Sequence, residues 1–554
     1  MALAIASPSH HEFQAQPIIS DFIPSPQPHY IGKLITTTRL PIPLGLDTRA
    51  MTPPSATNAA AMNAAAMNAA AMNPDQKLDP AQEKALAAAL ADAERNFPDT
   101  IARLKQLVRI PSCSFPGFDP AHVLASAEDT RAWLLAAGYP EARIVHLDVG
   151  AGKPPVHPYV LAKDHRAGPC APTILLYAHH DVQPPLREHL WRTKPFDPVE
   201  IDGRLYARGA ADDKAGILCH AASAAAWNRT AGRPPVNLTV LIEGEEEIGS
   251  HHLTQFMDAH AAELRADVLL VADLANYDIG LPSVTTSLRG LVAYEVELRA
   301  LKSPLHSGMW GGTVTDPTLA LCKLLATLTD ADGRIAVPGI LDRVLPPTAA
   351  EIASWKRLPY DAALLGRQSG RVRGTPPADA VNLHRALWRE PALSVNAIQA
   401  GERGRTGNVI MDCAWARVGL RIVPDMRPAE IAELLAAWLK AHAPADCELT
   451  LTAVSDGSPW VTAVDHPVFS LASAALARGF GREPVFIGCG ASIPFVGDLT
   501  ARLGGIPALL IGVEDPWCGA HAENESVHLG DLRSALRSQI TLYALLAAAT
   551  ARPV

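Results

Sequence analysis

The sequence predicts an α/β protein in which a mixed, largely parallel sheet is flanked by helices and interrupted by an α+β insertion. Three observations carry that expectation. Apolar runs such as "TILLYAHH", "NLTVLIEGEEE" and "DVLLVAD" alternate with Ala-rich helical segments such as "AGILCHAASAAAWNRT", the order expected of strands buried on both faces and joined by crossover helices. After Ser287 the pattern changes: "LVAYEVELRAL" and "CAWARVGLRIV" alternate as half-exposed strands do, beside helical stretches at "DPTLALCKLLATL" and "PAEIAELLAAWLKAHA". Finally, 554 residues at 48% hydrophobic are too many for one ordinary domain.

In chain order, residues 1–75 are rich in Pro, Ser and Thr and then fall into the pentad NAAAM, three times from Asn58 to Met72. A period of five keeps no single helical face, and such a segment has little to bury, so a disordered extension is expected. Helical periodicity begins at "DPAQEKALAAALADAERNFPDTIARLKQLVRI" and opens the main α/β domain, residues 76–284. The α+β insertion occupies residues 285–457, and the first domain resumes over 458–554.

A net charge of −9 and a pI near 6.1, with Lys and Arg scattered, offer no basic stripe for a phosphate backbone, so no nucleic-acid partner is expected. The eight cysteines form no CxxC pair, which argues against a disulfide framework and for a reducing compartment. No apolar run approaches a membrane span, and the N-terminus lacks the order of a signal peptide. A cytoplasmic protein without a membrane partner is the resulting expectation.

Chemistry concentrates where the apolar runs end. His179 and Asp181 close the first, Asp212 lies in "LYARGAADDKAG", Glu245 to Glu247 follow the next strand, Asp273 ends "LLVAD", and His521 follows "IPALLIGV". In doubly wound sheets ligands bind off the carboxyl ends of strands, and polar side chains gathered at several buried strand ends need a common partner. Imidazoles and carboxylates are the donors zinc takes when a coordination position stays open for water. With a period of two, His179 and Asp181 point to one side and His180 points away, which lets Asp181 orient a ligating imidazole. The chain has no GxSxG elbow, no GxxxxGK[ST] phosphate loop and no complete dinucleotide fingerprint.

From about residue 80 to the C-terminus the chain resembles the dinuclear zinc metallopeptidases that include carnosinase-like dipeptidases, aminoacylases, succinyl-diaminopimelate desuccinylases and glutamate-releasing carboxypeptidases. The resemblance rests on "HHDVQPP", Trp191 with "PFDP", "LYARGAADDK", "EGEEEIGS", "SPLHSGMWGG", "LRIVPDM", "SIPF" and "GAHAENE", in that family's order. It implies a zinc-peptidase catalytic domain carrying two Zn2+ per subunit, with cobalt or manganese able to substitute. One ion would take His179 and Asp273, the other Glu247 and His521, with Asp212 bridging both. Glu246 would be the general base, Asp181 the orienting aspartate, and His306 a histidine of the inserted lid that steadies the oxyanion. Arg421 and Asn408 would meet the substrate's free carboxylate, with Ser492 as a further substrate contact.

The expected reaction is hydrolysis of a dipeptide or short peptide with a free C-terminal carboxylate, in a homodimer formed through the lid domain. N-acyl amino-acid deacylation is the alternative, because Gly488, Cys489, Gly490 and Ala491 precede Ser492 where dipeptidase members commonly carry Arg-Glu-Gly-Gly, and Ser455 stands where a carnosinase-like histidine is found. A non-catalytic binding relative is disfavoured, since every ligand type and the base are present.

Overall fold

The computed structural model describes residues 72, 73, 75–150, 156–374, 377–404, 407–490 and 493–550. The extension expected over residues 1–75 therefore lies almost wholly outside the described residues, as do Ala491 and Ser492.

The largest sheet has nine strands, in the order Glu141–Val145, Tyr159–Asp164, Asn237–Glu243, Thr173–His179, Val268–Val271, Ala508–Leu510, Ser283–Leu288 and Trp460–Val461, with Val485–Cys489 also paired to Ser283–Leu288. Its centre is parallel: Asn237–Glu243, Thr173–His179, Val268–Val271 and Ala508–Leu510 run side by side in one direction. The Glu141–Val145 and Tyr159–Asp164 strands are antiparallel, as is the contact between Ala508–Leu510 and Ser283–Leu288. The parallel character expected from the sequence thus belongs to the middle of a mixed sheet, plus one outer pair.

Within Thr173–His179, residues 174–178 are all apolar because both faces of the strand are covered. Ile174, Leu176 and Ala178 pack into one core with the helices Pro80–Val108, Lys214–Ala231, Pro467–Phe480 and Leu529–Thr550. Leu175 and Tyr177 pack into a second core with Phe256 of the helix Leu253–His260 and Phe495, Val496 and Leu499 of Pro494–Arg502. Local signals set the helix ends. Asp79 caps Pro80–Val108 in a reciprocal box with Gln82, and Gly232, at φ +77°, ends Lys214–Ala231 in the left-handed conformation that glycine adopts without strain.

A separate four-stranded antiparallel sheet has the order Ala392–Gln399, Cys413–Ile422, Gly290–Arg299 and Glu448–Gly457. Val292, Val296, Leu298, Val418 and Leu420 point from it onto Leu321 and Leu324 of Pro317–Ala326 and Ile431, Leu435 and Leu439 of Pro428–His442. One covered face and one solvated face account for the alternation read in these strands. A two-stranded ribbon pairs Leu305–His306 with Val409–Ile410. No helix among the described residues is long and apolar enough to cross a membrane.

Candidate metal centre

The parallel centre of the sheet delivers its carboxyl ends to one place. His179 is the last residue of Thr173–His179. Glu246 and Glu247 lie in the short turn that follows Asn237–Glu243, and Asp273 sits two residues beyond Val268–Val271. Asp212 precedes Asp213, which caps the helix Lys214–Ala231 by accepting from the Gly216 amide. His521 comes from the loop after Ala508–Leu510 and has a left-handed backbone, φ +62°.

Asp212 stands between the two histidines. Its Oδ1 is 2.9 Å from Nε2 of His179, and its Oδ2 is 3.0 Å from Nε2 of His521. Asp273 Oδ1 is 3.7 Å from the His179 nitrogen, and Glu247 Oε2 is 3.3 Å from the His521 nitrogen. Two groups result, His179–Asp212–Asp273 and Asp212–Glu247–His521, each with its donor atoms within 4.8 Å of one another and with Asp212 common to both. Glu246 Oε2 lies 4.0 Å from His179 Nε2 without belonging to either group.

The electrostatics are those of crowded carboxylates short of positive charge. Burial opposes protonation of His179, but the carboxylates of Asp181, Asp212 and Asp273 outweigh it and hold its pKa well above the usual range. Hydrogen bonds to Asp212 and Glu247 push His521 up to about 11. Burial raises Glu247 to about 7 with help from Asp212, and burial likewise raises Asp273 and Glu246. Three carboxylates and two imidazoles of this kind are a donor set for two divalent cations, whose four positive charges they nearly match.

The surrounding residues fix these groups, and several were not singled out from the sequence. Asp181 Oδ2 accepts from Ser114 Oγ at 2.7 Å, and its two oxygens also accept the amides of Glu246 and Glu247 at 3.2 and 3.1 Å. The His179 Nδ1 lies 3.0 Å from the carbonyl oxygen of Asp181 and 3.4 Å from its carboxylate. Both the carbonyl and the carboxylate of Asp181 thus face the His179 ring, and the carboxylate also holds the glutamate turn. Gln183 donates its amide and its side chain to the two oxygens of Glu247, at 3.0 and 2.7 Å. Glu245, 2% exposed, faces away: it accepts from the His157 amide and meets His252. His180 is buried with Nε2 against the Pro158 carbonyl, and burial lowers its pKa to about 4. Glu514 also approaches the cluster, where burial and the charges of Asp212 and Asp273 raise its pKa well above the carboxylate range. Its only sequence signal was position, at the end of the "IPALLIGV" run.

The remaining sequence candidates lie elsewhere. His306 pairs with Val409 in the small ribbon, and Asn408 lies just beyond it, its carbonyl accepting the Ser307 amide at 2.8 Å. Both are exposed, and among the described residues no hydrogen bond or ion pair joins His306 to the cluster. Arg421 is half-buried in Cys413–Ile422, diagonal across the ladder from Arg289, and burial together with Arg421 lowers the Arg289 pKa. Ser492 falls outside the described residues.

Known proteins resemble the chain over most of its length. The chain is 31% identical over 363 residues to the cysteinylglycine-S-conjugate dipeptidase of Corynebacterium striatum, covering 64% of this chain and 77% of that protein. It is 28% identical over 461 residues to the Cys-Gly metallodipeptidase DUG1 of Saccharomyces cerevisiae, covering 80% and 94%. The crystal structure of human carnosine dipeptidase 1 superposes with a TM-score of 0.75 at 26% identity, over 83% of this chain and 98% of that one. The model of peptidase family M20/M25/M40 matches residues 175–546, a span that holds His179, Asp212, Glu246, Glu247, Asp273 and His521, and the chain therefore belongs to that family of peptidases.

Proposed function

We propose that the protein is a dinuclear metal-dependent dipeptidase that hydrolyses peptides with a free C-terminal carboxylate. The observation that carries this reading is Asp212, whose two oxygens face two histidines from opposite ends of the site, each histidine with a second carboxylate beside it. His179, Asp212 and Asp273 would hold one ion, and Asp212, Glu247 and His521 the other, with zinc the metal best suited to the donors. Such a pair, when bound, supplies a water nucleophile active near neutral pH and polarises the scissile carbonyl.

The chain's own residues do the rest. Glu246, close to His179 yet outside both groups, takes a proton from the attacking water and delivers it to the departing amine nitrogen. Asp181, through the amides of Glu246 and Glu247, keeps base and ligand in register. Arg421 offers a planar fork for the substrate's carboxylate, with Asn408 and Ser492 as further contacts. His306 donates to the oxyanion that develops on the scissile carbonyl. Its exposure and its place in the small ribbon support a site completed by a second subunit, in a homodimer formed through the four-stranded-sheet region. Eight free cysteines support a reducing, cytoplasmic setting.

Mass-spectrometric screening of the protein against dipeptides and N-acyl amino acids in parallel, after chelation and after reloading with zinc, tests the proposal. Cleavage of dipeptides only after reloading is the expected result. Cleavage of acyl compounds alone would replace the dipeptidase reading with an amidohydrolase one.

A further inference from the structure

Four residues beyond His521, Glu525 is fully buried, and its carboxylate is spent entirely on the loop that presents Asp212. One oxygen accepts the amides of Ala211 and Asp212, at 3.0 and 3.2 Å. The other accepts the amide of Gly209 at 2.9 Å and the Arg208 guanidinium at 2.7 Å. The Glu525 carbonyl oxygen in turn accepts the Ala207 amide at 3.1 Å. Arg208, 1% exposed, uses its second terminal nitrogen on the carbonyls of Pro184 and Ala522, at 3.1 and 3.0 Å, and lies over the Trp191 ring. One buried ion pair therefore ties together the loop that holds Gln183, the loop that holds Asp212 and the loop that holds His521.

Taking the dinuclear site above as its basis, we infer that Glu525 is a positioning residue that sets the two-sided geometry of Asp212 and thereby the binding of the second metal ion. The reason is directional. A carboxylate can face four donors, two on each oxygen. A glutamine of the same shape cannot, because its amide nitrogen must point either at Gly209 and Arg208 or at Ala211 and Asp212, and each choice sets donor against donor. Whichever way the amide turns, the 209–212 loop loses two of its holds, and with them the orientation of the one side chain that both ion groups share. Arg208 and Glu525 are rarely fully buried residue types, and here the hydrogen bonds of the Glu525 carboxylate and of the two terminal Arg208 nitrogens go only to each other and to loop backbone, with the Arg208 Nε left unpartnered among the described residues.

The test is calorimetric titration of metal-free protein with Zn2+, well below its melting temperature. Wild type is expected to take two ions per subunit. Glu525→Gln is expected to keep one and to bind the second about 10–100-fold more weakly, the usual cost of removing an outer partner of a metal ligand. Glu523→Gln, on the same turn but paired with Arg187 at the surface, is expected to match wild type. If Glu525→Gln does not fold, Glu525→Asp decides the matter: it keeps the charge but is one methylene too short to reach both donor pairs, so the second ion should again be selectively weakened. Two ions bound with wild-type affinity by either folded variant would overturn the inference, since a merely structural residue would change the melting temperature and leave the titration untouched. Fewer than two ions bound by wild type would instead sink the dinuclear reading itself.

Discussion

Three consecutive glutamates, Glu245, Glu246 and Glu247, sit in three different environments, and replacing each by glutamine should produce three different failures. Among the described residues the Glu246 carboxylate meets only its neighbours in the cluster, so the amide keeps shape and removes only the base. The rate should fall by the ~10²–10⁴ that general acid–base catalysis contributes, equivalent to about 2.7–5.4 kcal/mol of barrier, with metal content intact. Glu247 meets donors on both oxygens, from Gln183 and from His521. An amide there sets an N–H against a donor and deletes a negative charge from one ion group, so Glu247→Gln should lose one metal ion and activity together. Glu245 has one amide donor, from His157, and one imidazole neighbour, His252. A glutamine can accept the first and donate to the second in its other tautomer, so rate and metal content should stay near wild type. Inductively coupled plasma mass spectrometry of metal per subunit, run beside kcat on a dipeptide, separates the three. A Glu245→Gln variant that lost the rate, or a Glu246→Gln variant that lost metal, would refute the assignment of roles.

Asp212→Ala should lose more metal than His179→Ala, because Asp212 belongs to both groups; near-normal metal in Asp212→Ala by the same spectrometry would remove its shared role. Mixing His306→Ala with Glu246→Gln, each inactive alone, should restore activity in mixed dimers, and confirmed mixed dimers without recovery would place His306 outside the reaction. Away from the site, Lys163, then His260 and Arg143, lower the pKa of Glu263 to about 2, against the 4.5 of a free side chain. That depression stabilises the fold above pH 4.5 and is lost as pH falls through 2. Glu263 is about a third exposed, so Glu263→Gln should cost only about 1 kcal/mol at neutral pH. The gap in melting temperature between variant and wild type should close under acid, and a gap that persisted to pH 2 would mean the effect is packing rather than charge.

The α/β architecture was legible because its signals are local. Between Thr173 and His179 every position is apolar, which only a strand covered on both faces requires, while Gly290–Arg299 alternates because one face of its sheet is solvated. The convergence of His179, Asp212, Glu246, Glu247, Asp273 and His521 was legible for a related reason. His179, Glu246, Glu247 and Asp273 stand at or just past the ends of parallel strands, which bring their carboxyl ends together whatever the length of chain between them, while Asp212 and His521 reach the same place from loops.

What the sequence by itself determined, then, is which residue types stand at which strand ends. Tertiary structure alone decided how they are held. Ser114 reaches Asp181 across 67 residues, and Arg208 meets Glu525 across 317. In the sequence Glu525 is one more acid in a polar loop, and nothing in its neighbours distinguishes it from Glu523, which ends at the surface against Arg187. The same holds for the ring of His179, which faces the Asp181 carbonyl, a group every residue carries, as well as the Asp181 carboxylate. Periodicity and strand ends are properties of a few consecutive residues. The hydrogen-bond partners of a buried carboxylate depend on which distant backbone amides are left without a ladder or helix to join, and that is known only once the loops are packed.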